Sequence, residues 1–405
     1  MALPIAASPS PDRPEIPRLL FAIRYCHPWI GGLEKNTFNL ARELSGRGLP
    51  VTVLTGRFFR SWPASETAGL LLIRRLPSPR IRVLGAILFL AGLAWRLLTQ
   101  RDSYDIVHAF QVGHTAAVAV LLSRLLGKPS VLTLAGGGSG GDIFRHRRTP
   151  WGRMVLRACL QATRIVTLNR QMHEELAAVR CPENRAVYIP NGVDTERFHP
   201  RECTARPDDY AHKTVVYVGR LAAEKGVAFL VRAHALLQHT LAARLVIVGD
   251  GPERKRLERL TRRLGTTSLI EFTGPADDVR PYLWQANVFV LPSKHEGMPN
   301  ALLEAMACGV PVIATHVPGT GEIITDRATG LLVAYNDVEG MARAIATMLT
   351  DAALSRGCAQ RALACIRKQY TFAHETGRYI NLYRALAKRA LPSAPAQPGR
   401  DAGNP

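Results

Sequence analysis

The sequence has little of what would place it in an oxidising compartment or within a membrane. Its seven cysteines, at 26, 159, 181, 203, 308, 358 and 365, are odd in number and scattered, with no C-x2-C pair. That pattern offers neither a zinc site nor a disulfide framework, so reduced, small apolar side chains are expected. The most apolar segment, Val83 to Trp95, has 13 uncharged residues between Arg82 and Arg96. It is too short to span a bilayer and suits a buried helix first, an interfacial one second. The opening, MALPIAASPSPDRPEIP, lacks a basic stretch followed by an apolar core, so the expected compartment is the cytoplasm. Acidic residues are also scarce, 32 against 52 Lys and Arg, for a net charge of +20. Residues 1–200 carry 26 basic and 13 acidic residues, so the excess is concentrated in the first half. Such a balance fits an anionic membrane surface, phosphorylated small molecules or nucleic acid. No basic motif is interleaved with aromatics, so no nucleic-acid partner is expected. No Asp-x-Asp pair stands at a strand end, and no metal or other cofactor is expected.

What is present is a long alternation of strand and helix signals. With 405 residues, 47% of them hydrophobic, the chain has room for two cores. Residues 1–17 and 391–405 are rich in Pro, Ala and Gly and are expected to be disordered. A first α/β unit is predicted over 18–200, a linker over 199–212 and a second unit over 207–370, with a last helix over 371–390. The first unit opens as strand (Arg18 to Arg24), loop (HPWIGGLEKN), helix (Thr37 to Leu44) and strand (Val51 to Thr55), the spacing of a parallel βαβ unit. The fold class expected is two Rossmann-like doubly wound domains facing each other across a cleft. Gly136, Gly138 and Gly141 formally match G-x-G-x-x-G. IFRHRRTPWGR follows with a Pro and no clean helical opening, so a flexible loop at the cleft mouth is the better reading. Its cluster Arg145 to Arg148 can meet an anionic acceptor or a lipid head group.

The chemistry centres on EGMPNALLE, Glu296 to Glu304, where strand Val288 to Leu291 gives way to a helix opened by Pro299 and Asn300. A helix N-terminus at a strand end is an anion pocket, because its free amides and dipole favour phosphate. Glu296 and Glu304 flank that pocket and can face one ligand. Arg220 and Lys225 of GRLAAEKG stand at another strand end, a forked donor and a point charge that can converge on one diphosphate. Gly31 and Gly32 sit where the first strand feeds the first helix, and glycines there allow close backbone approach. In DIVHAFQVGH, His108 lies within a strand and His114 just past it, and either can be the catalytic imidazole.

GGLEKN, IPNGVDTERF, GRLAAEKG, VGDGPE and LPSKHEGMPNALLEAMACGVPVIAT together resemble the retaining glycosyltransferases of family 4, over roughly Arg18 to Leu386. The resemblance implies the GT-B fold, with the last helix crossing back to the first domain. It implies a nucleoside diphosphate sugar as co-substrate, and transfer of a hexosyl unit to a glycan or lipid-linked acceptor in cell-envelope or exopolysaccharide synthesis. It places Gly31 and Gly32 near the donor diphosphate, Arg220 and Lys225 on that diphosphate, Glu296 on the transferred sugar and Glu304 on the ribose. Backbone amides over Gly297, Met298, Pro299 and Asn300 would meet sugar and phosphate. Phe110 stands where many relatives carry the second His of His-x-His, and the Gly-rich loop replaces a frequent Thr-x-His-Gly. A sugar-nucleotide epimerase on the same fold and a non-catalytic binding protein are the alternatives. Peripheral contact with the inner face of an anionic membrane is expected from the basic first domain and the 83–95 segment.

Overall fold

The computed structural model describes residues 16–28, 31–201 and 213–390. Both expected disordered ends, apart from Ile16 and Pro17, and most of the 199–212 linker therefore lie outside the described residues. The first half comprises β1 (Leu19–Ala22), α1 (Gly32–Gly46), β2 (Val51–Arg57), β3 (Ser65–Ala68), β4 (Leu71–Pro77), α2 (Arg82–Thr99) and β5 (Ile106–Phe110). It continues through α3 (His114–Leu125), β6 (Ser130–Thr133), α4 (Asp142–Arg147), α5 (Pro150–Cys159), β7 (Arg164–Thr167), α6 (Arg170–Ala178) and β8 (Ala186–Tyr188). These strands form one sheet in the order β3-β4-β2-β1-β5-β6-β7-β8, parallel except for β3.

The second half runs β9 (Lys213–Val218), α7 (Val227–Leu237), β10 (Ala243–Val248), α8 (Arg254–Arg263), β11 (Ile270–Gly274), α9 (Arg280–Gln285), β12 (Val288–Leu291) and α10 (Asn300–Ala307). β13 (Val312–Thr315), α11 (Pro318–Gly321), β14 (Leu331–Val333), α12 (Val338–Thr350), α13 (Ala352–Gln369) and α14 (Phe372–Ala390) complete it. Its parallel sheet has the order β11-β10-β9-β12-β13-β14. Strands such as β12, VFVL, are buried at every residue because helices cover both faces, which is why they read as unbroken apolar runs. The two sheets make a GT-B fold. α14 returns to the first domain: Tyr379, Ile380, Tyr383 and Leu386 pack into the core formed with α1, β1 and β2.

Strand order decides where a ligand can sit. In the first sheet β1 lies between β2 and β5, and in the second β9 lies between β10 and β12. Each is a switch point, where the chains leaving neighbouring strands diverge and open a crevice. Gly31 follows β1, Arg220 follows β9, and the Glu296 loop follows β12.

Four local expectations needed correction. α1 begins at Gly32, five residues before the expected start, because Gly31 is extended at the N-cap and the GLEK run is itself helical. The β3–β4 hairpin was not anticipated; β3 is a largely exposed edge strand without apolar alternation. IFRHRRTPWGR, expected to lack a clean helical opening, runs through α4 and into α5. Pro150 occupies the first turn of α5, where its missing N–H costs nothing, and Thr149 caps it by accepting from the Gly152 amide. The 83–95 segment is helical but buried on one side only. Phe89, Leu93 and Leu97 are fully buried, whereas Val83, Ile87 and Trp95 are 68%, 57% and 66% exposed.

Candidate active site

The two switch points face each other across a cavity of about 710 Å³, the size of a small-molecule site. Gly31, Gly32, Arg220, Lys225, Glu296, Gly297, Met298, Pro299, Asn300 and Glu304 all line it. His108 and His114 do not.

On the second domain, Pro299 is extended at the N-cap of α10 and no side chain caps the helix, leaving its first amides to the cavity. Glu296 and Glu304 are both held by lysines. Lys225 Nζ donates to Glu296 Oε1 at 2.7 Å, and Lys35 Nζ, from α1, donates to Glu304 Oε1 at 2.8 Å across the cleft. Arg220 is more exposed and pairs with Glu224 at 2.6 Å. Lys225 is aimed by backbone geometry. It ends a short 3-10 turn that Gly226 closes at φ +65, a left-handed conformation that disfavours any Cβ. A side chain at Gly226 would also strike the Pro292 carbonyl, in the loop that carries Glu296.

On the first domain, a Cβ at Gly32 would meet nothing within 4 Å, so the bare backbone faces open cavity. Two asparagines that sequence reasoning had not assigned to the site tie the domains together. Asn169 Nδ2 donates to the Gly297 carbonyl at 2.7 Å while its side-chain oxygen caps α6. Asn191, read in sequence only as a turn residue, donates to Asn300 Oδ1 at 2.9 Å and to the Met298 carbonyl at 3.3 Å. The loop is tightly seated: a Cβ at Gly297 would lie 2.7 Å from the Ala135 carbonyl oxygen and 2.9 Å from Met172 Cε. Gly297→Ala should therefore spread the cleft and lower kcat/KM more than 10-fold, with the fold intact by circular dichroism. An unchanged kcat/KM would show that this contact does not position the loop.

The Gly-rich loop is anchored by carboxylates rather than free. Asp142 accepts from the Ala135 amide at 2.7 Å and Glu175 from the Gly138 amide at 2.6 Å. Burial pushes both carboxyls above their ordinary range, against the lowering effect of those amides. The absent side chain at Gly140 leaves room for His295, whose ring a Cβ there would meet at 3.3 Å. Burial and the neighbouring Lys294 lower the pKa of His295, so its imidazole lies against the Gly-rich loop mainly neutral.

Neither expected catalytic histidine reaches the cavity. His108 is fully buried behind Phe110, stacked on it at 4.1 Å; its Nδ1 bonds the Tyr383 hydroxyl at 2.7 Å and its Nε2 bonds Thr133 Oγ1 at 2.8 Å. Burial pushes its pKa down to about 3, so it is a neutral core residue joining α14 to the first sheet. Strand alternation is the reason: Phe110, two residues on, shares its face but stands at the strand end, where the cavity opens. His114 begins α3 on the outer surface and accepts from Trp151 Nε1 at 2.8 Å. His108→Leu should lower stability by about 1–3 kcal/mol, by orphaning buried hydroxyls, while the donor KM stays within about threefold. A large loss of kcat at unchanged stability would restore a catalytic role.

The α14 helix adds a further cavity residue that the sequence did not flag. Glu375 is 3% exposed and its Oε2 accepts from the Gly192 amide at 2.8 Å. Burial without a cation raises its pKa to about 8. Thr37 Oγ1, buried and without a hydrogen-bond partner among the described residues, belongs to a residue that lines the same cavity.

Residues 30–197 match the family described as Glycosyltransferase Family 4, and residues 212–351 match the one described as Glycosyl transferases group 1. The chain is 31% identical to the 2-deoxystreptamine N-acetyl-D-glucosaminyltransferase of Streptomyces fradiae, over 89% of this chain and 92% of that protein. It is 36% identical to the lipopolysaccharide core biosynthesis glycosyltransferase LpsE of Rhizobium meliloti, over 42% of this chain and 48% of that one. Among solved structures, Anabaena Alr3699/HepE in complex with UDP-glucose superposes with a TM-score of 0.73 at 19% identity, covering 93% of this chain and all of that one.

Proposed function

The chain belongs to glycosyltransferase family 4, and from that membership we propose that it moves a hexosyl unit from a nucleoside diphosphate sugar to a glycan or lipid-linked acceptor with retention at the anomeric carbon. The observation that carries this reading is the meeting of Lys225, Glu296, the uncapped start of α10 and Glu304 in one interdomain cavity. The donor diphosphate sits against Lys225, Arg220 and the first amides of α10, with the bare backbone of Gly31 and Gly32 opposite. Glu304 holds the ribose hydroxyls after exchanging its bond to Lys35, and Glu296 holds the sugar and faces positive charge developing at its anomeric carbon. In the step itself, the bond from the anomeric carbon to the leaving phosphate oxygen breaks and a bond to the acceptor oxygen forms on the same face. The acceptor proton passes to a phosphate oxygen and the nucleoside diphosphate departs. Cationic side chains and helix amides offset the leaving group's charge, work that requires no proton transfer by His108.

The acceptor side is formed by the first domain, where Phe110 presents an apolar wall. The similarity to LpsE and the strongly basic first domain support an acceptor in cell-envelope glycan synthesis. The test is a thermal-shift screen of UDP-, GDP- and ADP-sugars, followed by transfer to envelope glycan and lipid-linked acceptors and NMR of the product. Stabilisation by one donor class and a product of unchanged anomeric configuration are expected. An inverted product would overturn the retaining chemistry, and free epimerised donor formed without acceptor would mark an epimerase instead.

A further inference from the structure

We propose that the outer face built by α2, α3, α4 and α5 docks on an anionic lipid bilayer. α2 packs against α3, α3 against α5 and α5 against α4, so these helices form one layer on the side of the first sheet opposite α1 and α14. α2 is apolar all round yet has only its Phe89, Leu93 and Leu97 stripe in the core. Its other stripe, Leu84, Ile87, Leu88, Trp95 and Leu98, faces out at helical spacing, between 39% and 66% exposed. Leu125 of α3, at 76%, Phe144 of α4, and Trp151 and Met154 of α5 extend the apolar surface. A layer of neighbouring helices that exposes this many large apolar side chains marks an interaction site.

Charge identifies the occupant. Residues 67–173 contain 15 Lys and Arg and only three acids, Asp102, Asp105 and Asp142. Asp105 is paired with Arg18, and Asp142 is buried. Arg80, Arg124, Arg145, Arg147, Arg148, Arg153 and Arg157 are exposed around the apolar stripe. A partner subunit of the same chain would bring the same positive charge to meet this one. An anionic bilayer instead accepts both parts, the apolar stripe and Trp95 and Trp151 at the acyl boundary and the guanidinium groups among the phosphates. The face also adjoins the cleft: Trp151 bonds His114, where α3 and α5 begin at the carboxyl edge of the sheet, and α4 follows the Gly-rich loop. Docking there brings an acceptor carried in the bilayer to the first-domain side of the cavity. The inference concerns binding alone and does not depend on the transfer chemistry.

The full chain should be sedimented with vesicles of phosphatidylcholine alone and of phosphatidylcholine with 30% phosphatidylglycerol, at low and physiological salt, without donor. On the order of tenfold more binding to the anionic vesicles, weakened by salt, is expected. Ile87→Ser with Trp95→Ser should lower that binding at least tenfold, and Arg147→Gln with Arg148→Gln and Arg153→Gln should weaken its salt dependence. Both variants touch only exposed side chains, so melting temperature and the circular dichroism spectrum should match the wild type and exclude misfolding. Equal sedimentation of wild type and variants would overturn the proposal. So would light scattering that shows a stable dimer dispersed by the Ile87 and Trp95 substitutions.

Discussion

Lys225→Ala is expected to lower kcat/KM for glycosyl transfer by about 10²–10³-fold, a loss on the order of 3–4 kcal/mol of transition-state stabilisation. Lys225 is three-quarters buried and its partner Glu296 is 8% exposed, so the pair works in a poorly solvated pocket. There a cation facing the leaving diphosphate counts for more than in water. The same substitution leaves Glu296 without its counter-charge, so the single variant mixes lost catalysis with local rearrangement. Glu296→Gln and the double variant separate these effects. If the two residues act on one transition state, the double variant falls little below the worse single one, as groups acting together are not additive. The measurement is kcat/KM with donor varied at saturating acceptor, alongside melting temperature. Lys225→Ala activity within a few-fold of wild type would show that the donor diphosphate lies elsewhere.

Between about pH 5 and pH 8 the protein should lose a few kcal/mol of stability, and Glu375→Gln should abolish most of that loss. The cause is burial: Glu375 has an ordinary pKa of 4.5 in the unfolded chain and about 8 in the fold. In that window the native state holds a proton that the unfolded state has released, so unfolding gains favour as pH rises. The contribution of the neutral acid is complete below about 4.5 and is lost as pH climbs to about 8. Above that, a bare carboxylate sits inside the α14 contact, accepting from the Gly192 amide. The glutamine keeps an acceptor for that amide and carries no charge at any pH. Urea unfolding of both proteins at several pH values decides the matter. Parallel pH profiles for wild type and Glu375→Gln would show that another group controls the dependence. Glu375 lines the cavity at the point where α14 crosses back, so the same titration should loosen the interdomain contact at alkaline pH.

Much of the site is legible in the sequence because its parts are local. EGMPNALLE fixes a strand end, a helix start and two carboxylates within nine residues, and GRLAAEKG fixes a turn whose Gly226 can hardly be replaced. The histidines show the limit of such reasoning. His108 sits in a strand at the expected place, but which side of the sheet α14 covers depends on a helix 264 residues further along, and Tyr383 claims the imidazole. Lys35 and Asn191 carry no chemical signal in their own surroundings. They enter the site only because the second domain brings Glu304 and Asn300 to them.

The sequence by itself determined two doubly wound domains and the strand-to-helix turns of EGMPNALLE and GRLAAEKG. Each follows from short-range periodicity, glycine placement and motif spacing, which act within a few turns of chain. Only the tertiary structure decided which charged groups are paired across the cleft, that His108 is structural, that Glu375 is a buried acid, and that α2 leaves one apolar stripe uncovered. Those outcomes depend on burial, and burial is set by what packs against a residue from distant parts of the chain, a quantity that no local pattern contains.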